Sequence, residues 1–169
     1  MEQAKKKIIV IVVLLLVIVG SVGSFLIWKH SQDNSYAYDD LAKNGIIEAR
    51  TQEEIQRILN QQVEKGTFNV SINQNPTFAN GSSEGNVWIE NVPNNTSDLK
   101  VVITLPDRND EKIFETKKIR PNQNIKEAKL DVTLAKGDYR AIAHFFATDP
   151  ESGKNVGDAN VEITISIQN

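Results

Sequence analysis

Few side chains in this chain of 169 residues could carry a reaction. Its two histidines, His30 and His144, lie far apart, and there is no cysteine. Thiol catalysis, iron–sulfur clusters and cysteine-held zinc are therefore excluded. A lone histidine does not make a metal site either, because such sites need several ligands at defined spacing. His144 falls between Ala143 and Phe145 in an alternating segment, so it is expected to face solvent from a strand. No G-x-S-x-G, glycine-rich phosphate loop or H-E-x-x-H occurs. The densest oxygen cluster is Asp107-Arg-Asn-Asp-Glu111, and Asp149 with Glu151 forms a smaller one. Calcium needs about six to eight oxygens, and the run lacks the EF-hand pattern. Because Asp and Asn stabilise turns unaided, a turn is the expectation and weak calcium binding the alternative. No catalytic residue, metal or cofactor is assigned, and the chain is read as a non-enzyme.

Composition bounds the partners. The whole chain has a net charge of −3. Setting aside Glu2, Lys5, Lys6, Lys7 and Lys29 leaves 15 basic and 21 acidic residues in the remainder. That balance gives no basic footprint for nucleic acid.

The elements that must position any site begin with residues 8–28, an apolar run of twenty-one positions without a charge. As a helix it would reach about 30 Å, the thickness of a bilayer's hydrocarbon core. Lys5, Lys6 and Lys7 precede it, which predicts a cytoplasmic N-terminus for residues 1–7 and an extracellular remainder. A cleaved signal peptide has a shorter apolar core, so an uncleaved signal anchor is expected, with the lipid bilayer as one partner. Trp28 stands where an interfacial aromatic anchor belongs.

Residues 29–50 are polar and aperiodic and read as a linker or stalk. Thr51 and Glu54 form a capping box, and Ile55, Ile58, Leu59 and Val63 recur at helical spacing. An amphipathic helix is expected over 51–65, with Gly66 just past its end.

From residue 67 to 169 the period changes to two. Alternating segments carry Phe68, Val70 and Ile72; Val87 and Ile89; Leu99 to Leu105; Ile113 and Phe114; Leu130, Val132 and Leu134; Tyr139 to Phe145; and Val161 to Ile167. Turn signals separate them, among them Asn80-Gly81, Pro93-Asn-Asn-Thr96 and Lys136-Gly137. Seven such strands in about a hundred residues predict an all-β fold, a seven-stranded antiparallel sandwich of the immunoglobulin type. Gly137-Asp-Tyr139 adds a local signature, because Tyr139 is expected to return its hydroxyl to the backbone a few residues upstream.

Further segments are Glu54-Ile-Gln, Val63-Glu-Lys-Gly66 continuing to Ile72, Ser83-Glu-Gly85, Ile89-Glu-Asn-Val-Pro93, Ile119-Arg-Pro-Asn122, Leu134 to Ala141, and Phe146-Ala-Thr-Asp-Pro150. Together they resemble a group of small, membrane-anchored extracellular proteins of Gram-positive bacteria. The resemblance implies one immunoglobulin-like domain on a single membrane helix, in surface, secretion or transfer settings. It brings no catalytic residue.

The function expected is therefore binding or scaffolding at the cell surface with another envelope protein; a surface adhesin or ligand-binding receptor is the alternative, and an anchored enzyme a more distant one. Candidate contacts are Trp88, Asn94, Asn95, Thr96, Asp107, Asn109, Asp110 and Glu111, all in or beside turns. Trp88 is read two ways, as a surface anchor or as the tryptophan that sandwiches bury between their sheets.

Overall fold

Sequence alternation becomes structure most plainly in the C-terminal third. In the computed structural model, which describes residues 37–47, 51 and 68–169, the two longest strands are β9 (Gly137–Thr148) and β10 (Asn155–Ile167). They pair antiparallel along almost their whole length. Ala141, Ala143, Phe145 and Ala147 of β9 are buried, and so are Ile163, Ile165 and Ile167 of β10. The turn between them is tied by Asp149, whose Oδ1 accepts the Ser152 N–H at 2.7 Å. Gly153 follows at φ 66°.

The remaining strands are built around this hairpin. In chain order they are β1 (Lys43–Asn44), β2 (Thr77–Phe78), β3 (Glu84–Gly85), β4 (Ile89–Asn91), β5 (Asp98–Leu105), β6 (Glu111–Glu115), β7 (Gln123–Ile125) and β8 (Ala128–Lys129). One sheet has seven strands in the order β6-β5-β9-β10-β2-β3-β8, and β2 runs parallel to β10. The Asp131 N–H donates to the Ile113 carbonyl at 2.8 Å, so the chain just after β8 meets β6 and the sheet curls almost into a barrel. A smaller sheet has the order β1-β7-β4, and Ser71 adds a bridge to Glu90 of β4. The two sheets are joined where the chain leaves β6, because Leu99 of β5 exchanges both backbone hydrogen bonds with Ile119 before β7 begins.

Between β5 and β6 the chain turns through Pro106–Arg108 and then Asn109 and Asp110, at φ 56° and 54°. Asn and Asp tolerate that left-handed geometry better than other side chains. The core contains Phe78, Val87, Ile89, Leu99, Val101, Ile103, Ile113, Ile125, Leu134, Phe145 and Ile165. Gly85 allows close packing within it, since a Cβ there would meet the Phe78 ring at 2.5 Å.

The fold is all-β as expected, with differences in its parts. Leu130, Val132 and Leu134 do not form a strand, and the pairing falls earlier, in β7 and β8. These three residues anchor a loop to the core instead, so their alternation reports burial and not a ladder. Phe68, Val70 and Ile72 lie half-buried along a segment with one bridge, and regular pairing resumes only at β2. The sheet is a nearly closed barrel, which two separate flat layers would not be.

Part of the expected stalk is domain. Tyr38–Asn169 forms one compact unit. Within it β1 pairs with β7, the Asp39 N–H donates to the Lys118 carbonyl at 2.8 Å, and Ile47 is buried. Residues 38–47 are thus a strap on the sheet, tied by a backbone ladder that polar composition does not reveal. The membrane helix expected at 8–28 and the helix expected at 51–65, with Glu54, lie outside the described residues, apart from Thr51, which is exposed. Among the described residues no helix is long and apolar enough to cross a membrane.

Candidate functional site: the outer face and open edge of the long hairpin

The residues singled out from sequence do not converge. Trp88 is 38% exposed, on a kink between β3 and β4 where its own φ is 45° and its N–H donates to the Lys126 carbonyl. Asn95 is buried and acts inside the domain: its amide donates to the Asn69 carbonyl and to Asn91 Oδ1, and its Oδ1 accepts the Asn69 N–H at 2.8 Å. It is a structural clip and not a surface contact, because a full set of internal partners draws it in. Asn94 is half-buried and Thr96 exposed. Asp107, Asn109, Asp110 and Glu111 are all exposed, but at the opposite end of β5. Eight strand residues separate the two turns, a distance of about 25 Å. Glu111 pairs with Arg108 at 3.7 Å, and the Arg108 guanidinium lies 5.1 Å from the centre of the Tyr139 ring. Among the described residues no three His, Asp or Glu side chains gather as a metal-holding group.

Tyr139 donates its hydroxyl to the Ala135 carbonyl at 2.9 Å, and Gly137 takes the positive φ of 148° that opens this corner. Both residues position the start of β9.

A different surface collects side chains with something to offer. On the outward face of β9, Ile142, His144 and Phe146 alternate with the buried alanines, and Val102 and Thr104 of β5 lie beside them. His144 connects three strands. Its Nε2 lies 3.0 Å from Thr104 Oγ1 of β5, and its Nδ1 lies 2.9 Å from Asn160 Oδ1 of β10. With Asn160 presenting a carbonyl oxygen, the ring's Nδ1–H donates to it and Nε2 accepts from the threonine hydroxyl.

That order, hydroxyl to imidazole to amide, is the connectivity of a nucleophile, a base and an orienting group. The surroundings give it no reaction to perform. Thr104 is 8% exposed, and the strand amides beside it pair across the ladder, so no N–H donors converge on a reacting oxygen. The series is a polar ridge that fixes three strands in register, flanked by half-buried apolar side chains.

Charge borders this face. Lys100 and Lys112 both hold Glu115, the former at 2.5 Å. Burial works to raise the Glu115 carboxyl, but hydrogen bonds and attraction from the two lysines outweigh it and hold the group below its ordinary range. On the other border Arg140 holds Glu162 through Nε at 3.1 Å and Nη2 at 2.8 Å.

The hairpin also ends in an unpaired edge. The backbone N–H groups of Thr164, Ser166 and Gln168 donate toward β2 and the segment before it. Backbone groups alternate in direction along a strand, so Glu162, Asn160 and Asp158 turn theirs to the same side. Among the described residues no strand lies there, because β2 covers only Ser166 and Ile167. Within the described residues several N–H and C=O groups in a row are left for a partner.

Of these residues only His144 was singled out from sequence, as a strand histidine facing solvent, and it lies half-buried on the outward face. The signal was available in Ala141 to Ala147, where Ile142 and Phe146 make both faces of a strand apolar, which a purely solvated face does not need. Comparison with known protein families, with curated proteins and with solved structures finds no match for the chain.

Proposed function

We propose that this is a single-pass membrane protein that holds an immunoglobulin-like β-sandwich outside the cytoplasm. There it binds or scaffolds another envelope protein, as an accessory to a surface, secretion or transfer apparatus. The observation that carries the reading is the outer face of β9 with the unpaired edge of β10 beside it. A half-apolar face crossed by a polar ridge suits a protein partner, and an open edge offers main-chain hydrogen bonds to it.

Support for the sandwich comes from topology. β3 with β4, and β7 with β8, read as two long antiparallel strands interrupted by the kink at Trp88, while β6, β5, β9 and β10 form the facing layer. β2 crosses to run parallel to β10, and the Tyr139 corner begins the strand where such domains carry it. Support for the anchor is the uncharged run 8–28 behind three lysines.

The test is done in cells with the full chain. A photo-crosslinking residue placed at Phe146 should trap one envelope protein reproducibly, and the same residue at exposed Lys136 should not. Because the chain has no cysteine, a single Glu151→Cys reports topology cleanly. It should react with an impermeant maleimide on intact cells stripped of wall. Crosslinks indifferent to position would remove the binding face, and a shielded Cys in folded protein would remove the topology.

A further inference from the structure

We infer that the open edge of β10 takes an extended segment of a partner protein whose side chains alternate cationic and small apolar. This rests on the binding function proposed above and names the chemistry of what is bound.

The backbone of the edge accepts any strand, so selection must come from side chains. On the outward face Asp158, Asn160 and Glu162 follow one another at every second position, all exposed. Asp158 has no ion-pair partner among the described residues, whereas Glu162 is held by Arg140 through a single oxygen, Oε2. Directly opposite residues in neighbouring strands stand close enough for charge to matter, and opposite signs stabilise the pairing. A strand laid here gains most from a cation facing Asp158 and a second one, four residues away, facing Glu162. On the other face Ala159 and Val161 pack at the margin of the core. The bound strand's intervening side chains come down beside them, where small apolar groups fit. The complementary pattern is cation, apolar, polar, apolar, cation.

The same charges exclude a second copy of this chain. Antiparallel pairing of two β10 edges about Asn160 sets Asp158 of each copy against Glu162 of the other, and like charges directly opposite destabilise a pair. The edge is guarded against itself and left open to a basic strand.

The experiment uses the full chain in detergent and labelled peptides built on Lys-Val-Thr-Val-Lys, its Glu-Val-Thr-Val-Glu counterpart, and two N-methylated forms of the lysine peptide. Fluorescence anisotropy should give saturable binding of the lysine peptide, with the glutamate peptide about tenfold weaker. N-methylation at the Lys and Thr amides, which face the edge, should abolish binding, while N-methylation at the valines should not. Asp158→Lys should reverse the order of the two charged peptides. Asn160→Pro, which removes an outward N–H together with the side-chain bond to His144, should abolish binding, whereas Asn160→Ala, which loses the same side-chain bond but keeps the N–H, should retain it.

Equal binding of the two charged peptides would overturn the basic chemistry while leaving strand addition and the proposed function standing. Indifference to N-methylation, or no binding of the lysine peptide, would overturn the edge as the site. Concentration-dependent dimers abolished by Asn160→Pro would overturn it too, by making a second copy the occupant.

Discussion

Asp98 opens β5 almost completely buried, beside Tyr38 of the strap and the cations Lys118 and Arg120. Burial pushes its carboxyl up, against the Tyr38 hydroxyl that donates to it and the attraction of Lys118 and Arg120. The folded state therefore binds this proton more tightly than the unfolded chain does. The resulting stability is complete below the unfolded pKa and is lost as pH rises through the folded one. Unfolding free energy measured against pH should fall across the mildly acidic range in the natural protein and less steeply in Asp98→Asn; parallel profiles would dissociate the slope from Asp98. Glu115 has the opposite sign. Its carboxyl is held down by Lys100 and Lys112, so its contribution is present above the unfolded pKa and lost as pH falls through the folded one. Glu115→Gln should flatten the acid limb that Asp98→Asn leaves. At Tyr139 the hydroxyl bond to Ala135 is the only feature removed by Tyr139→Phe, and a loss of about 1 kcal/mol in denaturant unfolding is expected.

Elements formed where sequence and packing ask for the same thing. β9 and β10 were legible because their alternation lasts long enough to specify a face, and the turn residues Asp149 and Gly153 stand where the chain must reverse. Leu130, Val132 and Leu134 alternate just as well and misled, since period two reports which side chains are buried and says nothing about whether a neighbouring strand is present to pair with. The strap escaped for the reverse reason: β1 is held by backbone bonds and by Asn124, whose amide donates to the Gly45 carbonyl at 2.5 Å, and none of this needs an apolar pattern. The candidate face was half legible, through Ile142 and Phe146. The unpaired edge was not, because it depends on where β2 stops, a tertiary fact. Packing between elements is tight at β2 and β3, where Gly85 faces Phe78. Gly85→Ala should destabilise by about 2 kcal/mol in thermal unfolding, with the Phe78 ring forced aside; a neutral result would mean that the ring has room to move.

At the scale of the whole molecule, the nearly closed sheet pairs most of the long strands' backbone among the described residues, and the β10 edge is where that pairing stops. Native-state hydrogen exchange should separate the two classes. The amides of Ala141 to Ala147, in the middle of β9, should exchange only with global unfolding, and those of Asp158, Asn160 and Glu162 within the dead time. Protection of the latter in the isolated protein would show that something already covers them.

The strap has a mechanical meaning as well. A load applied to the chain before Tyr38 enters the domain through the strap, held by a two-residue ladder, the Asp39–Lys118 backbone bond, the Asn124 bond to Gly45, the stacking of Arg120 on the Tyr38 ring at 3.6 Å, the Lys117 ion pair with Asp40 and buried Ile47. These are far weaker than the twelve-residue and thirteen-residue strands behind them. Because these ties are short, the strap is expected to peel under tension before β9 separates from β10, and its ten residues span roughly 35 Å when extended. Under the proposed membrane anchoring, the strap stands at the end of the domain that would bear the pull.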